Sequence, residues 1–165
     1  MLKPLALIDS LSEHTGNLVA YLIPLLAVVE VYEVMARYVF DAPTIWASEF
    51  SAMLFGAFIL LGGADTLRRG GHVNMDIVYS RLSVRGRALM DILTFLLFLA
   101  FIGVLLWKGW ETAWRSLKLL EHDSTEWGPP LYPFKLLLPL GALLVLLQGL
   151  AKLVRDFGVL LRGDE

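Results

Sequence analysis

The sequence predicts an all-α integral membrane protein with four transmembrane helices and both termini in the cytoplasm. Hydrophobic residues make up 57% of the 165-residue chain, and the mean hydropathy of +0.66 is too high for an ordinary soluble domain. Four windows reach the roughly 20 apolar residues that a spanning helix needs. They cover approximately residues 17–40, 48–67, 88–114 and 134–154. We therefore expect residues 1–165 to form a single four-helix membrane domain.

The first window combines the length of a membrane span with charged residues. Glu30, Glu33 and Arg37 share one helix face because they follow each other at spacings of three and four. An acid at mid-membrane costs about 2.5 to 3.5 kcal/mol on insertion scales, so this segment is marginal in lipid alone. We expect the polar face to turn toward neighbouring helices, a partner chain or a wet cavity. Helix packing and an ion or substrate pathway both fit this pattern.

The second and third windows have features of packing and anchoring helices. Ser48, Ala52 and Gly56 recur every four residues and permit close approach of another helix. The helix from Val84 to Lys118 would be roughly 50 Å long, so it must tilt or project from the bilayer. Tryptophans near its outer end predict an interfacial aromatic belt; they are Trp107, Trp110 and Trp114.

Several polar residues in or near the spans have spacings that predict pairing. Asp65 precedes Arg68 and Arg69 by three and four residues, and Glu111 lies between Lys108 and Arg115 in the same way. Gln148, in the fourth window, predicts an interhelical hydrogen bond. The N-terminal piece from Leu2 to Leu11 is interpreted as a short interfacial helix, separate from the first span.

Basic residues are distributed unequally between alternate connecting segments. The segment between the second and third windows holds five arginines, whereas the turn at 41–47 has no Lys or Arg. Counted over alternate segments, one side carries nine basic residues and the other carries three. The positive-inside rule therefore places both termini in the cytoplasm.

The sequence carries little of the chemistry that enzymes or nucleic-acid-binding proteins need. The absence of cysteine excludes thiol chemistry and cysteine-ligated metal sites. The three histidines lie outside the spans or at their edges, so they do not form a haem site within the helices. The net charge is -2 and basic residues are interspersed with acids, which argues against a nucleic-acid partner. We expect no cofactor, no metal and no enzymatic activity.

Several short motifs occur in an order typical of one family. RYVF at 37–40 is followed by Pro43, Trp46 and Glu49, and then by GHVNMD at 71–76. This pattern resembles the small membrane subunit (DctQ-type) of tripartite ATP-independent periplasmic (TRAP) transporters. The resemblance covers nearly the whole chain.

The resemblance implies a three-component transporter in the bacterial inner membrane. In that family a periplasmic substrate-binding protein captures an acidic solute, and a large membrane subunit moves it with an elevator-like motion driven by a sodium gradient. This chain would bind the large subunit, contact membrane lipid and steady the fixed scaffold. The motif STEWGPP at 124–130 is similar to one branch of the family. This similarity favours organic acids such as 2-oxo or hydroxy acids as the solute.

The resemblance also implies roles for particular residues. Arg37, Trp46 and Glu49 would hold the outer end of the first two helices and contact the partner, beside the face that carries Glu30 and Glu33. Trp46 fits equally well as an aromatic residue of the membrane interface.

Two loops carry the remaining candidate residues. His72 and Asp76 would order the cytoplasmic loop before the third span, although capping of a helix start by Asp76 explains the acid as well. Asp123, Glu126 and Trp127 lie in the outer loop and are candidates for docking the binding protein.

Two other classes of function remain open. Glu30 is compatible with a self-contained proton-coupled exporter that acts as a homodimer, although Arg37 nearby would oppose a cation site. An assembly factor or sensor is also possible because four-span scaffolds look alike.

Overall fold

The computed structural model describes residues 3–70 and 84–162, and the regular structure of these residues is helical. The elements are α1 (Lys3–Ala20), α2 (Leu22–Tyr38), α3 (Ala47–Arg68), α4 (Val84–Leu119), α5 (Tyr132–Lys135) and α6 (Leu137–Arg162). Four stretches have the length and apolarity of membrane spans: Pro4–Tyr38, Ala47–Arg68, Thr94–Leu119 and Tyr132–Gly158. The predicted all-α class with four spans is confirmed, while the orientation of the termini stays a prediction.

The first span begins earlier than the sequence pattern indicated. Helix is continuous from Lys3 except at Tyr21, which forms a turn between α1 and α2. Pro24 explains this interruption, because it has no N–H to donate to the carbonyl of Ala20 and its ring crowds that carbonyl. From Lys3 onward, the N-terminal piece therefore belongs to the longer helix α1, and its position at the interface stays a prediction.

Proline also divides the fourth span. Pro133 lies in the first turn of α5, where a missing N–H costs nothing. Pro139 cannot donate to the carbonyl of Lys135, so the chain forms a turn at Leu136 before α6 begins. By contrast α4 is an uninterrupted helix of 36 residues, close to the length expected from the sequence.

The long helices form an open row rather than a closed bundle. α3 and α6 lie side by side in the middle, α4 packs against the far side of α6, and α1 and α2 follow one another along α3. α1 also reaches α6, whereas among the described residues α4 makes no extensive contact with α2 or α3. As a result 33% of the most apolar part of the fourth span is buried, and only 11% of that of the third. Most of the apolar surface therefore faces outward.

Glycines allow the central helices to approach closely. A Cβ on Gly141 would clash with the backbone carbonyl of Leu60, so α6 and α3 are almost in backbone contact there. Gly149 packs under the ring of Phe98 on α4, and Gly56 lies against the ring of Phe134. Of the small residues expected to form a packing face, Ser48 and Ala52 are exposed. The chain itself thus uses only one end of that face.

Polar side chains join α1 to α6 at the end where α3 finishes. The interhelical hydrogen bond predicted for Gln148 is confirmed, since its Oε1 accepts from Ser12 Oγ at 3.0 Å. Its Nε2 donates to Asp9 Oδ1 at 2.9 Å, and Arg155 donates to the other oxygen of Asp9 at 2.6 Å. Asp9 is thereby satisfied within the helices, which explains how α1 continues through an acidic residue.

A second polar contact joins α1 to α3 at the same end. The predicted pairs of Asp65 are confirmed, with Arg68 Nε at 2.9 Å and Arg69 Nε at 2.7 Å. Arg68 also contacts Glu13 of α1 at 3.4 Å. Gly16 leaves room for Asp65, since a Cβ there would lie 2.6 Å from the Cβ of Asp65. Charge and close packing therefore fix the start of the chain to the end of α3.

We expect Gly141→Ala to destabilise the protein, because the added methyl would displace α6 from the backbone of α3. Overpacking of this kind typically costs about 1 to 3 kcal/mol. The measurement is the midpoint of thermal unfolding of the purified chain in mild detergent. Gly103→Ala is the matched control, since a Cβ at Gly103 meets nothing within 4 Å. Equal midpoints for the two variants would contradict the close α3–α6 contact.

Candidate partner interface

Glu33 closes the turn between α2 and α3. Its carboxylate is buried, and it accepts from four donors, two on Arg37 at the end of α2 and two on Thr44 within the turn. Oε1 accepts from Nε of Arg37 at 2.9 Å and from a terminal guanidinium nitrogen of the same residue. Oε2 accepts from the backbone N–H of Thr44 at 3.1 Å and from the Thr44 hydroxyl. One acid therefore fixes both the end of α2 and the turn that follows.

An aromatic cluster covers the start of α3 beside this turn. Trp46 stacks on Tyr32 of α2 with ring centroids 5.9 Å apart. Trp127, from the loop after α4, lies 6.5 Å from Trp46 and 6.3 Å from Phe50, the latter edge to face. Aromatic pairs in such arrangements each contribute about 0.5–1.5 kcal/mol beyond the area they bury. The cluster joins three parts of the chain that are distant in sequence.

The loop at 120–131 is built as a compact unit. Its two sides meet where His122 and Pro130 form an isolated bridge. Inside the loop the N–H of Gly128, which has a φ of 60°, donates to the Thr125 hydroxyl at 3.3 Å. The same hydroxyl donates to Glu49 Oε2 on α3 at 2.9 Å. The loop is thus attached to the start of α3 by a hydrogen bond as well as by Trp127.

An ion pair ties the base of this loop to α5. Lys135 Nζ lies 2.6 Å from Glu121 Oε2. This hydrogen bond holds the pKa of Glu121 below its ordinary value of 4.5. The carboxylate is therefore ionised at neutral pH and binds the loop to the beginning of the fourth span.

The structure brings five of the sequence-predicted residues together at this one end of the molecule. They are Glu33, Arg37, Trp46, Glu49 and Trp127. We call this region the turn end, and define it as residues 32–50 together with 120–131. Asp123 and Glu126 lie on the loop, where Asp123 is half-buried and Glu126 is exposed. His72 and Asp76 lie outside the described residues, so their roles stay predictions.

Glu30 does not share the environment of Glu33. It is exposed, although both acids lie on α2 and are only three positions apart. The side chains of α2 that are buried against its neighbours are Val29, Glu33 and Ala36. The expected common polar face is therefore divided, with Glu33 covered by the chain itself and Glu30 left on the outside.

The outer part of α4 has the features expected of an interfacial belt. Trp107, Trp110 and Trp114 are 73%, 56% and 47% exposed, which is the exposure that contact with lipid and interfacial water requires. Trp110 and Trp114 stack, and Lys118 Nζ lies 5.4 Å from the centre of the Trp114 ring. The predicted ion pairs from Glu111 to Lys108 and Arg115 are also confirmed, at 2.8 and 3.3 Å.

Some residues of the site had no usable signal in the sequence. Thr44 and Thr125 bind acids that lie 11 and 76 residues away, and no helical spacing links such pairs. The contact of Tyr32 with Trp46 could have been predicted, because Tyr32 lies beside Glu33 and near the turn that contains Trp46. No cluster of three or more His, Asp or Glu side chains suited to a metal ion occurs within residues 3–70 and 84–162.

Comparison with known proteins decides the family. Residues 26–158 match the DctQ component of tripartite ATP-independent periplasmic transporters. The chain belongs to the DctQ family. The matched stretch includes every residue of the turn end, and DctQ proteins are components of transporters rather than enzymes. Together with the four candidate spans, membership of the DctQ family places the chain in the bacterial inner membrane.

Two curated relatives of this DctQ family chain come from Vibrio cholerae. One is a sialic acid TRAP transporter small permease protein, SiaQ, with 26% identity over 97 residues, or 57% of this chain and 56% of the relative. The other is a C4-dicarboxylate TRAP transporter small permease protein, DctQ, with 27% identity over 114 residues, or 64% of this chain and 48% of the relative. The chain spans about half the length of the curated relatives it matches.

We expect Trp127→Ala to release the loop at 120–131 from α3 while the long helices stay folded. Two ring contacts of about 0.5–1.5 kcal/mol each are lost, and each 1.4 kcal/mol is tenfold in an equilibrium constant. Limited proteolysis in detergent should therefore cut the loop at least about five times faster. Trp107→Ala is the control, because Trp107 lies in the exposed belt. A cleavage rate equal to that of the unmodified chain would contradict the anchoring role.

The Glu121–Lys135 pair predicts a pH-dependent contribution to stability. Because the pKa of Glu121 is lowered in the folded state, the contribution is complete above about pH 4.5 and is lost as the pH falls through the folded-state pKa. We expect Glu121→Gln to unfold at a lower temperature than the unmodified chain at pH 7, with a difference that disappears at lower pH. Glu126→Gln, in the same loop, is the control. A pH-independent difference would exclude the ion pair as its source.

Proposed function

We propose that the chain is a scaffold subunit that binds and steadies the large membrane subunit of a TRAP transporter. In this proposal the transporter takes up an organic acid, driven by a sodium gradient, after a periplasmic binding protein delivers it. The movement of solute is assigned mainly to the large subunit.

The open row of helices is the observation that carries this proposal. Each spanning helix is covered on one or two sides only, and only 11% of the most apolar part of the third span is buried. A row of this shape offers broad apolar faces to a larger membrane protein. The turn end and the Asp9–Gln148 network hold the ends of the row together, as a fixed support requires.

The proposed contacts with the large subunit involve Glu30, Arg37, and the turn end around them. Glu33, Trp46 and Glu49 act mainly by holding the shape of this region, because their polar atoms or rings are engaged within the chain. Half of the Arg37 side chain remains accessible to a partner.

The proposed docking of the binding protein uses the exposed side of the loop at 120–131. Asp123 and Glu126 supply the polar surface, whereas Trp127 holds the loop in place. If both termini are cytoplasmic, this loop faces the periplasm. For the other side of the membrane, we propose that His72 and Asp76 order the loop before α4.

An organic acid as solute is supported by the names of the relatives. One is named for sialic acid and the other for C4-dicarboxylates, and both solutes are acids. Sodium coupling rests on the resemblance to the TRAP family.

The experiment is an affinity purification of the tagged chain in mild detergent, from membranes that express its native gene neighbourhood. Mass spectrometry should find a much larger multispanning protein in stoichiometric amount. Recovery of the chain alone as a stable dimer would contradict the scaffold role and favour the exporter.

In the same purification we expect Glu33→Ala to lower recovery of the complex several-fold, because it removes the acceptor of four hydrogen bonds at the turn end. Glu13→Ala is the control, since Glu13 makes an exposed contact with Arg68 at 3.4 Å. Recovery should be normalised to the amount of each variant in the membrane. Equal recovery of the two variants would exclude a role of Glu33 in assembly.

A further inference from the structure

Glu30 is an exposed carboxylate in the middle of an apolar helix surface. α2 is buried through Val29, Glu33 and Ala36, and Glu30 lies about 90° around the helix from the centre of that face. The residues that flank it on the same side of α2 are Ile23, Ala27 and Val34, and all three are exposed. We call Ile23, Ala27, Glu30 and Val34 the Glu30 flank.

Within the part of the chain that the structure describes, no group compensates the charge of Glu30. Arg37 lies two turns further along the same side of α2, but its guanidinium is held by Glu33. Within the described residues, no hydrogen bond or ion pair is formed by Glu30 itself. Exposed apolar side chains continue beyond it to Val39 and Phe40, so Glu30 lies inside the apolar part of the span rather than at its end. Acids in such positions usually face protein or a wet cavity rather than lipid.

We propose that the Glu30 flank is covered by a helix of the large membrane subunit that presents a basic side chain to Glu30. This inference rests on the proposed function and adds the contact surface and its chemistry. Apolar side chains on either side of Glu30 would pack against the partner helix and exclude water, and the basic group would neutralise the carboxylate.

A second copy of this chain fits the Glu30 flank poorly. A two-fold contact brings the same patch of both copies together, so two Glu30 carboxylates would meet in an apolar environment. Two carboxylates in contact repel each other. Arg37 cannot neutralise them because its guanidinium is bound by Glu33. A partner of opposite charge removes this difficulty, so charge complementarity favours a different chain.

The experiment maps which side of α2 is covered in the complex. The chain has no cysteine, so single cysteines can be introduced without a background. Spin labels at Ala27→Cys and Val34→Cys report on the Glu30 flank, and Leu25→Cys and Val28→Cys report on the opposite side of α2. We expect oxygen accessibility at the first pair to fall at least twofold when the large subunit is present in lipid nanodiscs. Accessibility at the second pair should not change.

Substitutions of Glu30 then test the charge. Glu30→Lys should lower recovery of the large subunit at least tenfold and Glu30→Leu several-fold, while Glu13→Lys, at an exposed position outside the turn end, should not affect it. Each recovery is normalised to the amount of variant in the membrane. If Glu30 faced lipid, Glu30→Leu would leave recovery unchanged and raise thermal stability, and this result would overturn the inference.

The outcomes separate this inference from the proposed function. Recovery of the large subunit with unchanged accessibility at Ala27→Cys and Val34→Cys would overturn the inference and leave the scaffold role intact. Disulfide-linked dimers of the chain through these two positions in the native membrane would identify a second copy as the occupant and also overturn it. Failure of the unmodified chain to recover any larger subunit would overturn both.

Discussion

A carboxylate within an apolar span requires hydrogen-bond donors, and the donors that bind Glu33 determine the conformation of one end of the molecule. Its four donors come from the next turn of α2 and from Thr44, so the chain must turn back sharply after Tyr38. The sharp turn places Trp46 at the start of α3, where Tyr32 and Trp127 reach it. The position of the loop at 120–131 therefore depends on an acid located almost ninety residues earlier in the chain.

The open row depends on different forces from those that hold a soluble bundle. Lipid is as apolar as the helix surfaces, so hydrophobic burial contributes little to the association of spans. The row is instead held by close backbone approach at Gly141 and by polar networks at the two ends. Among the residues that the structure describes, this arrangement leaves the broad faces of the row without specific contacts. A protein built in this way can be stable in lipid and still present large surfaces to a partner.

The sequence was sufficient for features that depend on local spacing and on apolarity. Four spans, the pairs of Asp65, and the pair of Glu33 with Arg37 all follow from helical geometry, and the structure confirms them. Features that depend on distant parts of the chain could not be predicted in this way. No helical spacing links Asp9 to Gln148 and Arg155 of α6, which bind its carboxylate. The bonds to Thr44 and Thr125 depend likewise on loop conformations.

Glu30 and Glu33 show a physical limit to what the sequence can predict about the surroundings of a side chain. Both acids lie on the same helix, three residues apart, and their insertion costs are similar. The two side chains point in directions about 60° apart around the helix axis. This difference places Glu33 against the turn and Glu30 on the outside of the chain. The sequence of one chain can show that an acid needs a partner, but a partner that belongs to another chain is not encoded in it. An unpaired acid on a folded subunit is therefore evidence about the assembly, because no group among residues 3–70 and 84–162 binds the Glu30 carboxylate.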